Sequence, residues 1–486
     1  MGQVSAYLLW LLATLLVATI MPLASTLDQR RIVLVCYAVA ASVIVLSRIL
    51  TARRYTSLSS GNVIALAGSA IVISLGTLSA AGSPLASWSL LEVSVYFLLL
   101  LSVGALASAF KILRYNSSGL VAGLFILPIG LYVFAACTIV FASLISNLPL
   151  TFPEPVNGFA NIRFFNQYQT WLLPFLPAAL LLPSPTSYIR RGLWHGFVFI
   201  IAAFFWALFW RTTGRGTVCA TVIACCVVLI FCGSNGRRYT MLTAILALSG
   251  FAVAWFMFND ALISRSETHL LSSVSLGRQY LWGLCIDLIG QHPWLGIGPM
   301  QFAALDTGKA SHPHDALLQW AVEWGIPAAV LISAGLLWML SHWLRFVFRA
   351  RDRDDHQSNV LRVALTASLI GGAAHSLVSG IVVMPASQFM LILVTALAYA
   401  VWRDAHPKPT VAHPLPRSIM PTVGVTFIIA VAGLYTAAFT INSYPYAAQH
   451  SRKNSDLYRR NSNQPRFWAD GTLAGISENE EEFGDP

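Results

Sequence analysis

Two histidines stand two residues apart in the run His312-Pro313-His314-Asp315. Neutral imidazole accepts a proton near pH 7, so either side chain could act as a general base toward a hydroxyl group. A zinc site is the alternative interpretation of two histidines beside Asp315, but the sequence offers no third convincing ligand. We therefore predict acid–base chemistry that needs neither a metal nor another cofactor.

A second run, Thr213-Gly214-Arg215-Gly216, places an arginine between two glycines shortly after Arg211. A guanidinium group can contact two phosphate oxygens at once. The glycines allow the backbone to approach a ligand, and a helix that begins here would point its amides at an anion. With Arg163 and Arg278 these residues predict a diphosphate site. The alternative for Arg211 or Arg278, each considered alone, is a structural role: the side chain snorkels to the membrane surface or hydrogen-bonds the end of a helix.

The composition indicates which elements must position these residues. Of 486 residues, 56% are hydrophobic and 10% are charged, whereas soluble proteins have about 25% charged residues. These values exclude a disordered chain, a coiled coil and an ordinary soluble enzyme, and they favour a protein embedded in a lipid bilayer. The net charge of +10 is not gathered into a basic soluble domain, so we expect no nucleic-acid partner.

The seven cysteines suggest no disulfide framework and no CxxC metal site. Six of them lie inside apolar runs, where cysteine is a small packing residue. Cys285 is predicted to lie in a long loop and has no partner there.

Apolar stretches of about 17–25 residues are long enough to cross a bilayer. The sequence contains about thirteen of them, so we predict an all-α, polytopic membrane helix bundle with a long periplasmic loop before the tenth helix. The predicted spans are 6–25, 32–50, 62–80, 88–110, 119–147, 168–183, 193–210, 216–233, 240–258, 316–342, 360–383, 385–402 and 419–440.

Basic residues gather in the loops after the even-numbered spans, as the positive-inside rule expects of cytoplasmic loops. This pattern places the N-terminus in the cytoplasm and the C-terminal tail outside, and the pair Arg30 and Arg31 departs from it in a short loop. The outward segments are 148–167, 211–216 and 259–315, so the histidines and the four arginines all fall on the outer side. The inward basic residues include Arg53, Arg54, Lys111, Arg114, Arg190, Arg191, Arg237, Arg238, Arg345, Arg349, Arg351, Arg353, Arg403, Lys408 and Arg417.

The segment 312–325 is similar to the signature of the O-antigen ligase superfamily, which reads roughly H-x-H-N-x-x-L-Q-x-x-x-E-x-G. Segments 277–282 and 292–298 resemble the R-x-x-x-W and H-P-x-x-G-x-G elements of that family. Segment 213–216 resembles its S-x-S-R-G turn. Asp315 stands where the family has Asn, and Thr213 and Gly214 depart from the more typical serine pair.

The segment 163–170 looks like one that precedes a middle span in the protein-glycosylating branch of the family, and the whole resemblance covers roughly 160–400. It implies a region 1–147 of N-terminal transmembrane helices and a ligase-like catalytic region 148–402 that includes the periplasmic loop 259–315. The last cytoplasmic loop and helix then occupy 403–440, and a periplasmic tail occupies 441–486.

The resemblance implies a metal-independent glycosyltransferase of the bacterial inner membrane, with its active site in the periplasm. Its donor would be a glycan on undecaprenyl diphosphate, and the favoured acceptor is a Ser or Thr hydroxyl of a pilin or another secreted protein. The alternatives are a lipopolysaccharide O-antigen ligase acting on lipid A-core, an O-antigen polymerase, and a flippase or transporter of lipid-linked sugars. A transporter should show repeated halves and charges at the membrane midplane, which this sequence lacks.

The expected roles follow from residue chemistry. Arg215 stabilises the leaving diphosphate, and Arg278, Arg211 and Arg163 help to bind it. We expect His314, near the start of a helix, to be the acceptor base and His312 to support it. Supporting residues are Gln167, Gln319 and Glu323, and the last two stand at i and i+4 and should meet on one helix face.

Overall fold

The computed structural model describes residues 2–23, 27–51, 60–112, 117–146, 156, 159, 162–183, 188–212, 214–257, 270–305, 307, 310–352, 356–406 and 419–453. This part of the chain is helical and contains no β-strand, which confirms the all-α class. The helices are α1 (Gly2–Ile20), α2 (Leu27–Thr51), α3 (Ser60–Ala81), α4 (Ala86–Ile112), α5 (Ser117–Val121), α6 (Leu127–Ser146), α7 (Ile162–Leu172), α8 (Phe175–Leu181), α9 (Tyr188–Thr212), α10 (Arg215–Phe231), α11 (Gly233–Met257), α12 (Leu270–Gln291), α13 (Ala316–Trp324), α14 (Ile326–Ala350), α15 (His356–Ser376), α16 (Pro385–Ala405) and α17 (Ile419–Lys453).

Eight helical segments of the described chain are long and apolar enough to cross a membrane. They are Gln29–Ser47, Ala86–Phe110, Ser117–Ser146, Ile189–Thr212, Gly233–Met257, Ile326–Ala350, Pro385–Ala405 and Gly424–Asn442. Three shorter apolar helices, Tyr7–Leu23, Ala65–Ala81 and Arg215–Phe231, overlap predicted spans as well. The count of about thirteen therefore stays a prediction.

Two of the predicted spans are interrupted. The span predicted at 168–183 forms α7 and α8, which meet at Pro174, and α7 begins already at Ile162. The span predicted at 316–342 forms α13 and α14, because Gly325 adopts a φ of +83° that a helix cannot contain. Arg163 and Gln167, predicted in an outward loop, consequently lie on a helix.

The long segment 259–315 also differs from its description as a loop. Residues 270–291 form α12, a helix of 22 residues, and Cys285 lies buried on it rather than in a loop. Leu281 and Cys285, one turn apart, pack with Phe302, Ala310 and Val322 in one apolar cluster. The residues 258–269 and 454–486, which include most of the predicted tail, lie outside the described part.

The chain divides into two compact units. The first comprises residues 1–30, 106–270 and 341–406, and the second comprises 31–105, 271–340 and 407–486. The arginine turn belongs to the first unit and the histidine run to the second, so each is described within its own unit.

In the first unit, the pair that breaks the positive-inside pattern is partly explained. Arg30 is fully buried, and its guanidinium lies 3.8 Å above the centre of the Phe159 ring. It also donates to the Pro22 carbonyl at 3.4 Å. A buried cation over an aromatic face is stabilised without contact with water, which is why a basic residue can occupy this position.

Candidate active site

The turn between α9 and α10 carries Arg211 in the last turn of the first helix and Arg215 at the first position of the second. Arg215 is exposed, and Arg211 is partly buried. Gly214 is the N-cap residue of α10 and makes no side-chain cap. The beginning of α10 thus presents backbone amides and a guanidinium together, an arrangement suited to an anion.

Both glycines of this turn are required by close packing. A Cβ atom at Gly214 would lie 2.6 Å from Asn166 Oδ1, and one at Gly216 would lie 2.6 Å from His375 Nε2. Either contact is shorter than real Cβ atoms allow. The turn therefore packs closely against α7 at Gly214 and against α15 at Gly216. Arg215 lies between these two contacts.

A buried polar network lies behind the turn. Asn166 Nδ2 donates to Thr212 Oγ1 at 2.6 Å and to Gln169 Oε1 at 3.0 Å, and Gln169 Nε2 donates to the Phe205 carbonyl at 2.9 Å. Gln167 Nε2 donates to Ser379 Oγ at 2.6 Å. These bonds give partners to the side-chain amide nitrogens, which would otherwise be costly to bury inside an apolar bundle.

The sequence-predicted residues of α7 divide between surface and interior. Arg163 is exposed near the helix start, three residues before Asn166 and hence on the same helix face as the residue that touches the turn. Gln167 is buried and is engaged by Ser379. The structure thus brings Arg163, Arg211 and Arg215 to one end of the first unit, while Gln167 belongs to the network that supports them.

The histidine run of the second unit forms a compact loop before α13. The backbone N–H of His314 donates to Nδ1 of His312 at 3.2 Å, and the two ring centres are 4.2 Å apart. His312 is fully buried, whereas His314 is partly exposed. Because Nδ1 of His312 accepts a hydrogen bond, neutral His312 carries its proton on Nε2.

The backbone of His314 is left-handed, with a φ of +59°. Asp315 follows as the N-cap of α13, and its Oδ1 accepts from the N–H of Leu318 at 2.9 Å. Asn and Asp cap helices equally well, so the replacement of the family's Asn by Asp315 keeps the function of this position. The helix begins two residues after His314, close to where the sequence predicted it.

Arg278 and Trp282 lie one turn apart on α12 and share a face. Trp282 Nε1 donates to the carbonyl of Pro313, the residue between the two histidines, at 3.0 Å. Arg278 therefore lies about 6 Å further along the same helix from a direct anchor of the histidine loop. Within the second unit, the structure brings Arg278 and both histidines together.

Gln319 and Glu323 meet as predicted, with Gln319 Nε2 donating to Glu323 Oε2 at 3.3 Å. Glu323 is fully buried, and its Oε1 accepts from the N–H of Phe302 at 3.3 Å. A buried carboxylate held by two donors is a fixed structural group. Glu323 thereby connects α13 to the turn Gln301–Ala304, and its side chain is shielded from solvent.

Segment 292–298 forms a strap across the junction of α13 and α14. The N–H groups of Ile297 and Gly298 donate to the carbonyls of Val322 and Glu323 at 2.9 and 3.1 Å, and Ile326 N–H donates to the Pro293 carbonyl at 2.9 Å. Gly296 has a φ of +69° and Gly298 a φ of +113°. The glycines of this motif are therefore needed for backbone conformation and close approach rather than for chemistry.

Several supporting residues were missed by sequence reasoning. Ser79 Oγ donates to the carbonyls of Leu295 and Glu323, and Ser89 Oγ donates to the Pro299 carbonyl at 2.7 Å. They lie on α3 and α4, far from the motifs along the chain. A polar residue inside an apolar span was the available signal, and it also marks Gln169, Thr170 and Thr217 in the first unit.

Cys285 and His375 have roles that the structure defines. Burial, helped by the charges of Glu323 and Asp315, raises the pKa of the Cys285 thiol to about 12, so this thiol stays protonated and packs as an apolar residue. His375 is buried and its Nδ1 lies 2.7 Å from Thr170 Oγ1, so it is a hydrogen-bonded residue of the helix interior. Over the described ranges, no three His, Cys, Asp or Glu side chains cluster as metal ligands would.

These features define a class: a polytopic helical membrane protein that presents arginines at a helix start and a histidine pair beside a further arginine. Residues 190–333 match the family model described as O-antigen ligase, and this segment contains both Arg215 and His314. The chain is also 26% identical over 196 residues to an O-antigen ligase of Pseudomonas aeruginosa, a match that covers 39% of this chain and 44% of that protein. The resemblance to the O-antigen ligase superfamily is thereby confirmed.

Proposed function

We propose that the protein is an inner-membrane enzyme that transfers a glycan from undecaprenyl diphosphate to an acceptor hydroxyl group. The observation that carries the proposal is the histidine loop: a buried, hydrogen-bonded His312 beside a partly exposed His314, anchored to the helix of Arg278. This loop lies inside the segment that matches the O-antigen ligase family.

In the proposed reaction, the acceptor oxygen attacks the anomeric carbon of the glycan and inverts its configuration. The bond from that carbon to the phosphate oxygen breaks, and its electron pair leaves with undecaprenyl diphosphate. His314 takes the acceptor proton, and His312, whose Nδ1 accepts from the His314 N–H, holds the backbone of His314 in place. Guanidinium groups stabilise the charge on the leaving diphosphate, chiefly Arg215 and with it Arg211, Arg163 and Arg278.

The favoured acceptor is a Ser or Thr of a pilin or another secreted protein. The segment 163–170, which resembles the protein-glycosylating branch, lies outside the family match and forms the part of α7 that packs on the arginine turn. A lipid A-core acceptor is the second candidate, and the named O-antigen ligase of Pseudomonas aeruginosa favours it. Polymerisation of O-antigen and transport of lipid-linked sugars follow as weaker candidates.

Deletion of the gene with two readouts separates these acceptors. Loss of the glycan mass from pilin with an unchanged lipopolysaccharide ladder supports a protein acceptor, and the reverse result supports lipid A-core. Complementation with the wild-type chain must restore the lost product, whereas Arg215→Ala must not. If both products persist in the deletion strain, glycan transfer to either acceptor is refuted.

Metal independence is tested on the purified enzyme in detergent. We expect transfer to persist in EDTA, because arginines rather than a cation stabilise the diphosphate. Loss of transfer that one added divalent ion restores would overturn this expectation.

A further inference from the structure

Three side chains behind the arginine turn form one hydrogen-bonded chain. His375 Nδ1 lies 2.7 Å from Thr170 Oγ1, which lies 3.0 Å from Thr217 Oγ1, and Thr217 Oγ1 donates to the Asn166 carbonyl at 2.9 Å. All three side chains are buried. They connect α15, α7 and α10 in the first unit.

The number of available protons fixes the direction of this chain. The Asn166 carbonyl can only accept, so Thr217 donates to it and accepts from Thr170. Thr170 Oγ1 also lies 3.1 Å from the Asn166 carbonyl. Whether its one proton points to that carbonyl or to Thr217, the proton is used, and Nδ1 of His375 must donate to Thr170. This arrangement forms three hydrogen bonds, whereas a proton pointing from Thr170 to Nδ1 would leave two. His375 is therefore the Nδ1–H tautomer, with an acceptor lone pair on Nε2.

That lone pair faces the first turn of α10. Nε2 is the atom nearest to a Cβ built on Gly216, at 2.6 Å. The first amides of a helix have no intrahelical acceptor, and the N-cap residue Gly214 supplies no side-chain cap. The imidazole edge of His375, from a neighbouring helix, therefore closes the Gly216 side of this turn.

Asn166 holds the other side of the same turn. Gln169 is oriented by its donation to the Phe205 carbonyl, so its Oε1 faces Asn166 and the Asn166 amide nitrogen must point toward it. This leaves Asn166 Oδ1 directed at the Gly214 side, 2.6 Å from a Cβ placed there. The two neighbours of Arg215 in the chain therefore each pack against a side chain of fixed orientation, Gly214 against Asn166 and Gly216 against His375.

We propose that His375 is a positioning residue for Arg215: the Nε2 edge of its ring packs against Gly216 beside Arg215, and Thr170 and Thr217 hold the ring in that orientation. The inference rests on the proposed function, because it assumes that Arg215 binds the diphosphate. It adds residues of α7 and α15 that lie outside the family match at 190–333.

The first test compares Thr170→Val with Thr170→Ser. Valine has the shape of threonine without the hydroxyl, whereas serine keeps the donor and acceptor. We measure the Kd of the purified protein for undecaprenyl diphosphate in detergent. Thr170→Val should weaken binding on the order of tenfold, as loss of a supporting partner commonly does, and Thr170→Ser should stay close to wild type.

A double-mutant cycle shows whether the effect passes through Arg215. In the Arg215→Ala background, Thr170→Val should cause no further loss of binding, because the group it positions is already absent. A general packing defect would weaken binding equally in both backgrounds, and that result would overturn the proposal. If Thr170→Val does not reach the membrane, His375→Gln and His375→Ala take its place. Glutamine fills more of the space beside Gly216 than alanine does and should retain more binding.

The outcomes separate this inference from the function on which it rests. If the wild-type protein does not bind undecaprenyl diphosphate, the proposed function fails and the inference fails with it. If the wild type binds and Arg215→Ala binds more weakly, while Thr170→Val binds as well as Thr170→Ser, only the inference is overturned.

Discussion

The backbone of His314 is the residue-scale feature that the sequence could not predict. A left-handed φ costs a non-glycine residue about 1–2 kcal/mol, and nothing in the run His312-Pro313-His314 marks this conformation. The cost is met by the loop as a whole, through the Asp315 cap and the Trp282 contact. The contact of Gln319 with Glu323 was predictable, because it depends only on helical spacing.

We predict that His314→Asn abolishes transfer at every pH tested while the protein folds normally. Asparagine tolerates the left-handed conformation, so the substitution removes the imidazole without adding strain. His312→Ala should leave measurable transfer, because His312 orients the backbone of His314 and does not itself take the proton of the acceptor hydroxyl. Activity in membrane vesicles is the readout, and His314→Gly is the control for backbone strain. An inactive His312→Ala beside a partly active His314→Asn would reverse the two roles.

Arg215→Ala and Arg278→Ala are each expected to abolish transfer at near-normal expression. Arg215 is exposed at the helix start, and Arg278 is partly buried on the face that anchors the histidine loop. Lysine should rescue poorly at either position, since a point charge cannot replace the two-pronged guanidinium. Transfer assays with membrane-inserted variants provide the measurement, and full activity of either alanine variant removes that arginine from the active site.

At the scale of elements, the strap 292–298 and the junction at Gly325 pack against each other and share backbone hydrogen bonds. Gly325 has a φ of +83°, and a Cβ there would overlap the Trp294 carbonyl. A Cβ at Gly76 on α3 would likewise overlap the ring of Trp324. The family motifs include Gly296, Gly298 and Gly325 but give no reason for them. The reason lies in contacts between segments that are distant in sequence.

Gly325→Ala should destabilise the protein by several kcal/mol, of which backbone strain alone contributes about 1–3 kcal/mol. Gly283 provides a matched control, because it lies within α12 with open space where a Cβ would be. Gly283→Ala should raise stability slightly, by about 0.5–1 kcal/mol, since alanine favours a helix interior. Thermal unfolding in detergent compares the two variants. Equal effects would show that the junction at Gly325 is not tightly packed.

Across the whole molecule, composition predicted the membrane class and the all-α fold, and the orientation remains a prediction. Composition could not predict α12, because its apolar residues are too few for a span and serve a local core. Nor could it predict the broken spans, whose interruptions arise at Pro174 and Gly325 inside otherwise apolar runs. Apolar length measures the capacity to cross a bilayer and says little about where a helix stops.

Within the first unit, the arginine turn lies far from the residues predicted to face the cytoplasm. Helix α15 has 21 residues and is therefore about 30 Å long. Its first residue, His356, lies within hydrogen-bonding distance of Asn235 and the Leu181 carbonyl, close in sequence to Arg237 and Arg238, whereas His375 near its end contacts the arginine turn. The basic loops and the arginine turn thus lie at opposite ends of one membrane-length helix.

Reporter fusions test the orientation that this separation supports. Alkaline phosphatase folds only in the periplasm, so fusions ending at residues 260 and 453 should be active and a fusion ending at residue 353 should be inactive. The reason is the concentration of Arg345, Arg349, Arg351 and Arg353 at the end of α14 and directly after it, which strongly favours the cytoplasm. Green fluorescent protein fused at the same three positions serves as the complementary control, because it fluoresces only in the cytoplasm. The reversed pattern would place the histidine loop in the cytoplasm, away from any periplasmic acceptor, and would overturn the proposed reaction together with the topology.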